Sequence, residues 1–117
     1  MCNKTQNVIE DLMDRVPELV PLFHEHLQDN DTLLPHVFMG DVSRFVLELC
    51  ERPTAERLEI LSRIVSYLED AWKAGCDEER NLIDVSFLEN VANEGSASAF
   101  LCTRLGPVLR SELVKWK

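Results

Sequence analysis

Three histidines, four cysteines and 21 carboxylates are the residues of this chain able to do chemistry. His24 and His26 stand two apart, a spacing that aims them in different directions on a helix, unlike the i, i+4 pair of a helical zinc site. Together with Glu25, Asp29, Asp31 and Asp41 they could be drawn around a metal ion on paper. Acids and imidazoles around a polar turn more commonly make a solvated edge, so no metal and no other cofactor is expected. His36 follows Leu34-Pro35 in the first turn of a helix and reads as structural.

Two carboxylates flanking a bond can do acid and base work. Glu10 and Asp14 are such a pair, but acids at this spacing recur on nearly every helical surface, so the pairing selects nothing. There is no Ser-His-acid order, nucleophile elbow or phosphate loop, and Asp29-Asn30-Asp31 lacks the downstream Gly and Glu of a calcium loop. Cys2, Cys50, Cys76 and Cys102 are too widely separated to signal a zinc knuckle or a redox pair. Cys50 and Cys102 fall in apolar helical patterns and read as small hydrophobes, Cys2 reads as part of a frayed end, and no structural disulfide is expected. The chain is expected not to be an enzyme.

The net charge of −9, from 21 acids against 12 Lys and Arg, points instead to recognition. It argues against nucleic acid, whose backbone is held by Lys and Arg that displace counterions. A protein partner with a basic surface would be steered in by the same field. The field is strongest toward the N-terminal third, since residues 1–40 sum to −5 while 41–76 and 77–117 each sum to −2. Glu18, Glu25, Asp29, Asp31, Asp41 and Glu78 are the candidate contact residues, with solubility alone as the plain alternative.

The elements that must position these residues are helices. Apolar residues recur at three-to-four spacing almost throughout, without a sustained period-two run. The first helix is expected over residues 6–15 with Thr5 as cap, burying Val8, Ile9, Leu12, Met13 and Val16. A second covers 17–28, its regular part starting near Pro21, and Gln28 to Thr32 form a turn. A third runs from Leu34-Pro35 to about Arg52 around Val37, Phe38, Asp41, Val42, Phe45, Val46, Leu49 and Cys50. Gly40 inside it signals a close crossing or a break, or is simply tolerated. Thr54 caps a fourth helix reaching Ala74, long enough to be placed at the centre, with Glu69 among the residues facing away and a left-handed Gly75 ending it. Asp77 caps a fifth, burying Leu82, Val85, Phe87, Leu88, Val91 and Ala92 until Asn93-Glu94-Gly95 stops it. Ser96-Ala97-Ser98 opens a short sixth, and after Gly106-Pro107 a last helix carries Val108, Leu109, Leu113 and Trp116, the tryptophan as a packing lid.

The expected fold is all-α: an antiparallel bundle of five to seven helices forming one domain over 1–117, or a short stack of helical hairpins, with the lack of an internal repeat favouring the bundle. No apolar run approaches the roughly 18 residues needed to cross a bilayer. The first seven residues have neither an apolar stretch nor a small-residue cleavage site, so no secretory leader is expected and the compartment is the cytoplasm.

Val16-Pro17-Glu18-Leu19, the stretch Leu33 to Phe45, and Val85-Ser86-Phe87-Leu88-Glu89-Asn90 carry a family resemblance. From about residue 8 to 92 the chain resembles a family of small, uncharacterised, all-helical bacterial proteins, some suspected to be immunity proteins of polymorphic toxin systems. The resemblance implies a protein that binds and occludes a cognate toxin domain, without saying which toxin. It makes Asp41 with Arg44, and Ser86 with Glu89, polar anchors beside an apolar seam; Asp41 and Arg44 equally suit an ion pair within the helix. A helical adaptor or regulatory module with no toxin partner is the alternative.

Overall fold

Apolar residues at positions 8, 9, 12 and 16 give the first helix one oily side, and in the computed structural model of the chain all four are buried. The structure describes residues 4–92 and 95–116; Cys2 and the pair Asn93-Glu94 lie outside the described residues. Helix α1 spans Lys4–Arg15, so Thr5 sits inside its first turn rather than capping it. Pro17 begins a single 3-10 turn, Pro17–Leu19. The regular α2 follows as Val20–Asn30, with Pro21 in the first turn, where a backbone N–H would have no helical partner anyway. It closes at Asp31, whose left-handed φ of 63° lets its N–H reach Leu27 O at 2.8 Å, a conformation that short polar side chains tolerate.

Helix α3 spans Pro35–Glu51 and runs unbroken through Gly40. Helix α4 spans Ala55–Ala74, and Thr54 Oγ1 accepts the Arg57 N–H at 3.2 Å, the cap expected there. Gly75 ends α4 in an extended conformation (φ −83°, ψ 160°), not a left-handed one. What demands glycine is room, since a Cβ would lie 2.5 Å from the Ala71 carbonyl oxygen.

Helix α5 begins at Asp77 with Cys76, not Asp77, in the capping position, and Glu79 reaches back to accept the Cys76 N–H at 3.0 Å. The helix runs over Asp77–Ile83, passes through a π-helical turn at Asp84–Leu88 and finishes over Glu89–Val91. The wider turn breaks the 3.6-residue phase. Ile83 is therefore buried, while Val85, assigned to the core from the periodicity, is exposed. Gly95, expected to close α5, instead opens α6 (Gly95–Arg104) at φ 34°. Helix α7 spans Pro107–Lys115.

Among the described residues there are seven helices, counting α5 as one, and no strand. They pack as a bundle around one apolar cluster with a radius of gyration of 13.2 Å. Phe38 and Phe87 are the largest fully buried side chains, and each such burial contributes about 1.5–3 kcal/mol. The centre belongs to α3, which packs against α1, α2, α4, α5 and α6; the longer α4, placed there by its length, packs against α1, α3, α5 and α7. Met39, Ser43 and Leu47 join the buried side of α3, whereas Val37 does not.

Candidate protein-binding face

Two neighbours decide which side of α3 meets solvent. Along one side lies α5: His36 Nδ1 is 2.5 Å from Ser86 Oγ, and a Cβ on Gly40 would stand 3.5 Å from Asn90 Nδ2. Along the other lies α2, whose His26 ring packs on Phe38 at 5.5 Å between centroids and approaches Asp41 Oδ2 at 3.8 Å. Between these flanks runs a strip at i, i+4 and i+7 in which Val37 and Arg44 are exposed and Asp41 is half-buried. Arg44 and Asp41 form an ion pair within the helix.

His26, assigned on paper to a solvated edge, is instead a buried fastener whose side chain is 0% exposed. The Leu34 N–H donates to its Nε2 at 3.0 Å, which leaves the ring proton on Nδ1, toward Asp41. Asn30 Nδ2 donates to the His26 carbonyl at 2.9 Å; its 3.2 Å approach to Nδ1 is then a contact and not a second hydrogen bond. One ring thus closes the α2–α3 corner and fixes how Leu34 and Val37 are presented. The signal available in the sequence was the i, i+4 spacing of His26 and Asn30 just before a chain reversal.

The π turn is held in kind. The Asn90 side chain donates to Ser86 O at 2.7 Å, and Trp116 Nε1 donates to Asp84 Oδ1 at 2.7 Å, tying the end of α7 to α5. Trp116, expected as a packing lid, is instead exposed and held at the surface by this bond.

The proposed contact acids scatter. Glu18 is engaged within the chain: Arg63 donates to both its carboxylate oxygens, at 3.0 and 2.6 Å, and also to Arg15 O at 3.2 Å. These hydrogen bonds hold the Glu18 carboxyl below its ordinary range. Glu59, four residues from Arg63, comes only within 4.0 Å. Glu25, Asp29 and Asp31 on and just after α2, and Glu78 in the first turn of α5, are exposed, and their carboxylates have no hydrogen-bond or ion-pair partner among the described residues. Asp41 and Arg44 share the α3 strip, with Asp31 at the corner beside it. Ser86 is buried against His36, and Glu89 is half-buried.

The basic side chains are mostly occupied internally. Arg15 pairs with Asp70, Arg63 with Glu18 and Lys115 with Glu112. Arg57, Arg80 and Arg110 donate to backbone carbonyls of Glu48, Trp72 and Cys102. Arg52, Lys73 and Arg104 remain exposed, and the net charge of the chain is −9.

His36–Ser86 is a serine–histidine contact of the kind that starts a nucleophilic site. Ser86 is buried, and among the described residues no carboxylate is hydrogen-bonded to His36. The contact clamps two helices. His24 lies apart from both other histidines, beside a shallow groove with Glu10, Met13 and Phe23. No group of three or more His, Cys, Asp or Glu among the described residues is arranged to hold a metal ion, and no helix is long and apolar enough to cross a membrane. Cys50, Cys76 and Cys102 are free thiols, and burial pushes the Cys50 thiol up to about 11.

Glu69, expected to face away, is buried and reaches from α4 to the start of α7, where it accepts the N–H groups of Val108 at 2.7 Å and Leu109 at 3.1 Å. It lines a groove of about 250 Å³ with Ser62, Val65, Arg104 and Gly106. The sequence carried an indirect signal: Gly106-Pro107 starts a helix with no capping side chain of its own, so the acceptor had to come from elsewhere.

Residues 9–117 match the family described as "Domain of unknown function (DUF7674)", and the chain belongs to that family. No curated protein and no solved structure matches the chain.

Proposed function

We propose that this chain works by binding another protein, as an immunity or antitoxin-like domain that covers the basic surface of a cognate toxin. The observation carrying the reading is electrostatic. Arg15, Arg44, Arg63 and Lys115 are paired with acids of the chain itself, while Glu25, Asp29, Asp31 and Glu78 expose carboxylates without partners among the described residues, which leaves the surface acidic in sum although Arg52, Lys73 and Arg104 are also exposed. A basic protein approaching this surface meets a field that attracts and orients it, which raises association rates more than it slows dissociation. The family resemblance of the Leu33 to Phe45 and Val85 to Asn90 stretches supports a toxin as that partner.

Co-expression with the product of the neighbouring gene tests the reading. The expected result is a stable complex and rescue of growth from a product that is lethal alone. A complex with a harmless partner would replace the toxin with an adaptor's client, and the absence of any protein partner would overturn the proposal. Reversing Glu25, Asp29 and Asp31 to Lys should slow association by about tenfold and flatten its salt dependence. An unchanged on-rate would remove that face from the interface.

A further inference from the structure

Among the described residues the most exposed large apolar side chains are Leu34 (40%), Val37 (47%), Val85 (39%), Val114 (59%) and Trp116 (37%). They come from three separate parts of the chain, yet two hydrogen bonds draw those parts together. His36, which stands between Leu34 and Val37 in the chain, meets Ser86 next to Val85, and Trp116 donates to Asp84 on the other side of Val85 in the chain. The exposure is built in on each side: the His26 fastener fixes the Leu34 corner, and the π turn rotates Val85 out of the core. Acids neighbour these apolar side chains in sequence. Asp31 is exposed three residues before Leu34, and Asp84 directly precedes Val85 with one carboxylate oxygen taking the Trp116 N–H; Asp41 on α3 is offset by Arg44. Arg44 and Lys115, the nearby cations, are paired with Asp41 and Glu112.

We infer that this surface, running across the start of α3, the π turn of α5 and the end of α7, is where the partner docks, and that its occupant is a basic amphipathic helix of that partner. This rests on the protein-binding reading above and names its seat. An apolar stripe bordered by Lys or Arg matches exposed apolar side chains accompanied by carboxylates, each long cationic side chain lying along the apolar surface with its charge at the rim. A second copy of this chain is a poor occupant, because each copy carries −9 and would set its own acids against this rim.

The full chain is titrated with a synthetic Leu/Lys amphipathic helix of about 18 residues, long enough to span the domain. A Leu/Glu helix of the same pattern serves as control, and amide shifts are followed by NMR. The expected result is perturbation concentrated on residues 33–37, 84–89 and 113–116, with no response to the Leu/Glu helix. Val37→Asp with Val85→Asp, both at exposed positions, should weaken binding by about tenfold or more with unchanged circular dichroism. Glu25→Lys with Asp29→Lys should leave the mapped residues the same. Shifts centred elsewhere, equal binding of the acidic helix, or full affinity in the Val37→Asp, Val85→Asp protein would overturn the assignment. The two readings fail separately. Rescue from a toxin that survives Val37→Asp with Val85→Asp removes this surface and leaves the function standing, whereas mapped helix binding without any rescue leaves the surface and removes the toxin.

Discussion

Glu69 holds Val108 across 39 residues of sequence: its Oε1 accepts the Val108 N–H at 2.7 Å, and its other oxygen takes the Leu109 N–H at 3.1 Å. The last helix has neither a capping side chain nor an N–H at Pro107, so α4 supplies the acceptor. A carboxylate at a helix N-terminus also meets the positive end of its dipole. Glu69 thus anchors the start of α7, while the buried Leu109 and Leu113 and the Trp116 bond to Asp84 hold the rest of it.

Replacing Glu69 by Ala should destabilise the protein by about 1–3 kcal/mol, because it strands buried N–H groups. Glu69→Gln, which keeps one acceptor but turns an NH2 toward the other donor, should cost less than Ala and more than nothing. Urea denaturation checks both, and a midpoint unchanged in Glu69→Ala would mean that α7 is held by packing alone.

Gly106→Ala should act on the same cap by a different route. Its φ of −69° is open to any residue, so the cost is steric: the new Cβ would lie 2.6 Å from Glu69 Cδ. A loss of about 1–3 kcal/mol is expected. Combined with Glu69→Ala the loss should be less than additive, since the obstacle and the cap are then removed together. Strict additivity in a double-mutant cycle would refute the link.

Gly40→Ala should stabilise. The position is helical, the added methyl would meet only Asn90 Nδ2 at an ordinary 3.5 Å, and Ala exceeds Gly in helix propensity by about 1 kcal/mol. Thermal melts should rise. A fall would show that α3 and α5 approach more closely than this spacing allows.

Tyr67 is the sole tyrosine, and burial, with the negative charge of Asp11, raises its phenol from 10.0 to about 12. Because the folded value lies above the unfolded one, the stabilisation linked to this group is complete below pH 10 and is lost as the pH climbs through 12. Absorbance at 295 nm should show ionisation near 12 in the native protein and near 10 in urea. Native ionisation at 10 would place the hydroxyl in water.

Periodicity and punctuation located most of the helices. Pro17, Pro35, Thr54 and Gly106-Pro107 each mark a boundary that the chain respects within a residue or two, because a missing N–H or a capping hydroxyl acts on its own immediate backbone. The stripes of α1 and α4 were legible for the same local reason: Ile9, Leu12, Leu61, Ile64 and Leu68 follow one 3.6-residue phase to the end of each helix. Val85 was misplaced because a π turn, which leaves no composition mark in Asp84–Leu88, interrupts that phase.

What the amino-acid order determined by itself is therefore an acidic, all-helical chain and the oily side of its regular helices, since charge is a sum and helix phase is set by neighbours three and four residues away. Only the tertiary structure decided that His26 would bond Leu34, that Glu69 would cap a helix 39 residues on, that His36 would meet Ser86 and that Trp116 would bond Asp84. Each of those relations joins groups from different elements. A buried donor takes whichever acceptor packing brings within about 3 Å, and spacing along a single helix carries no record of that choice.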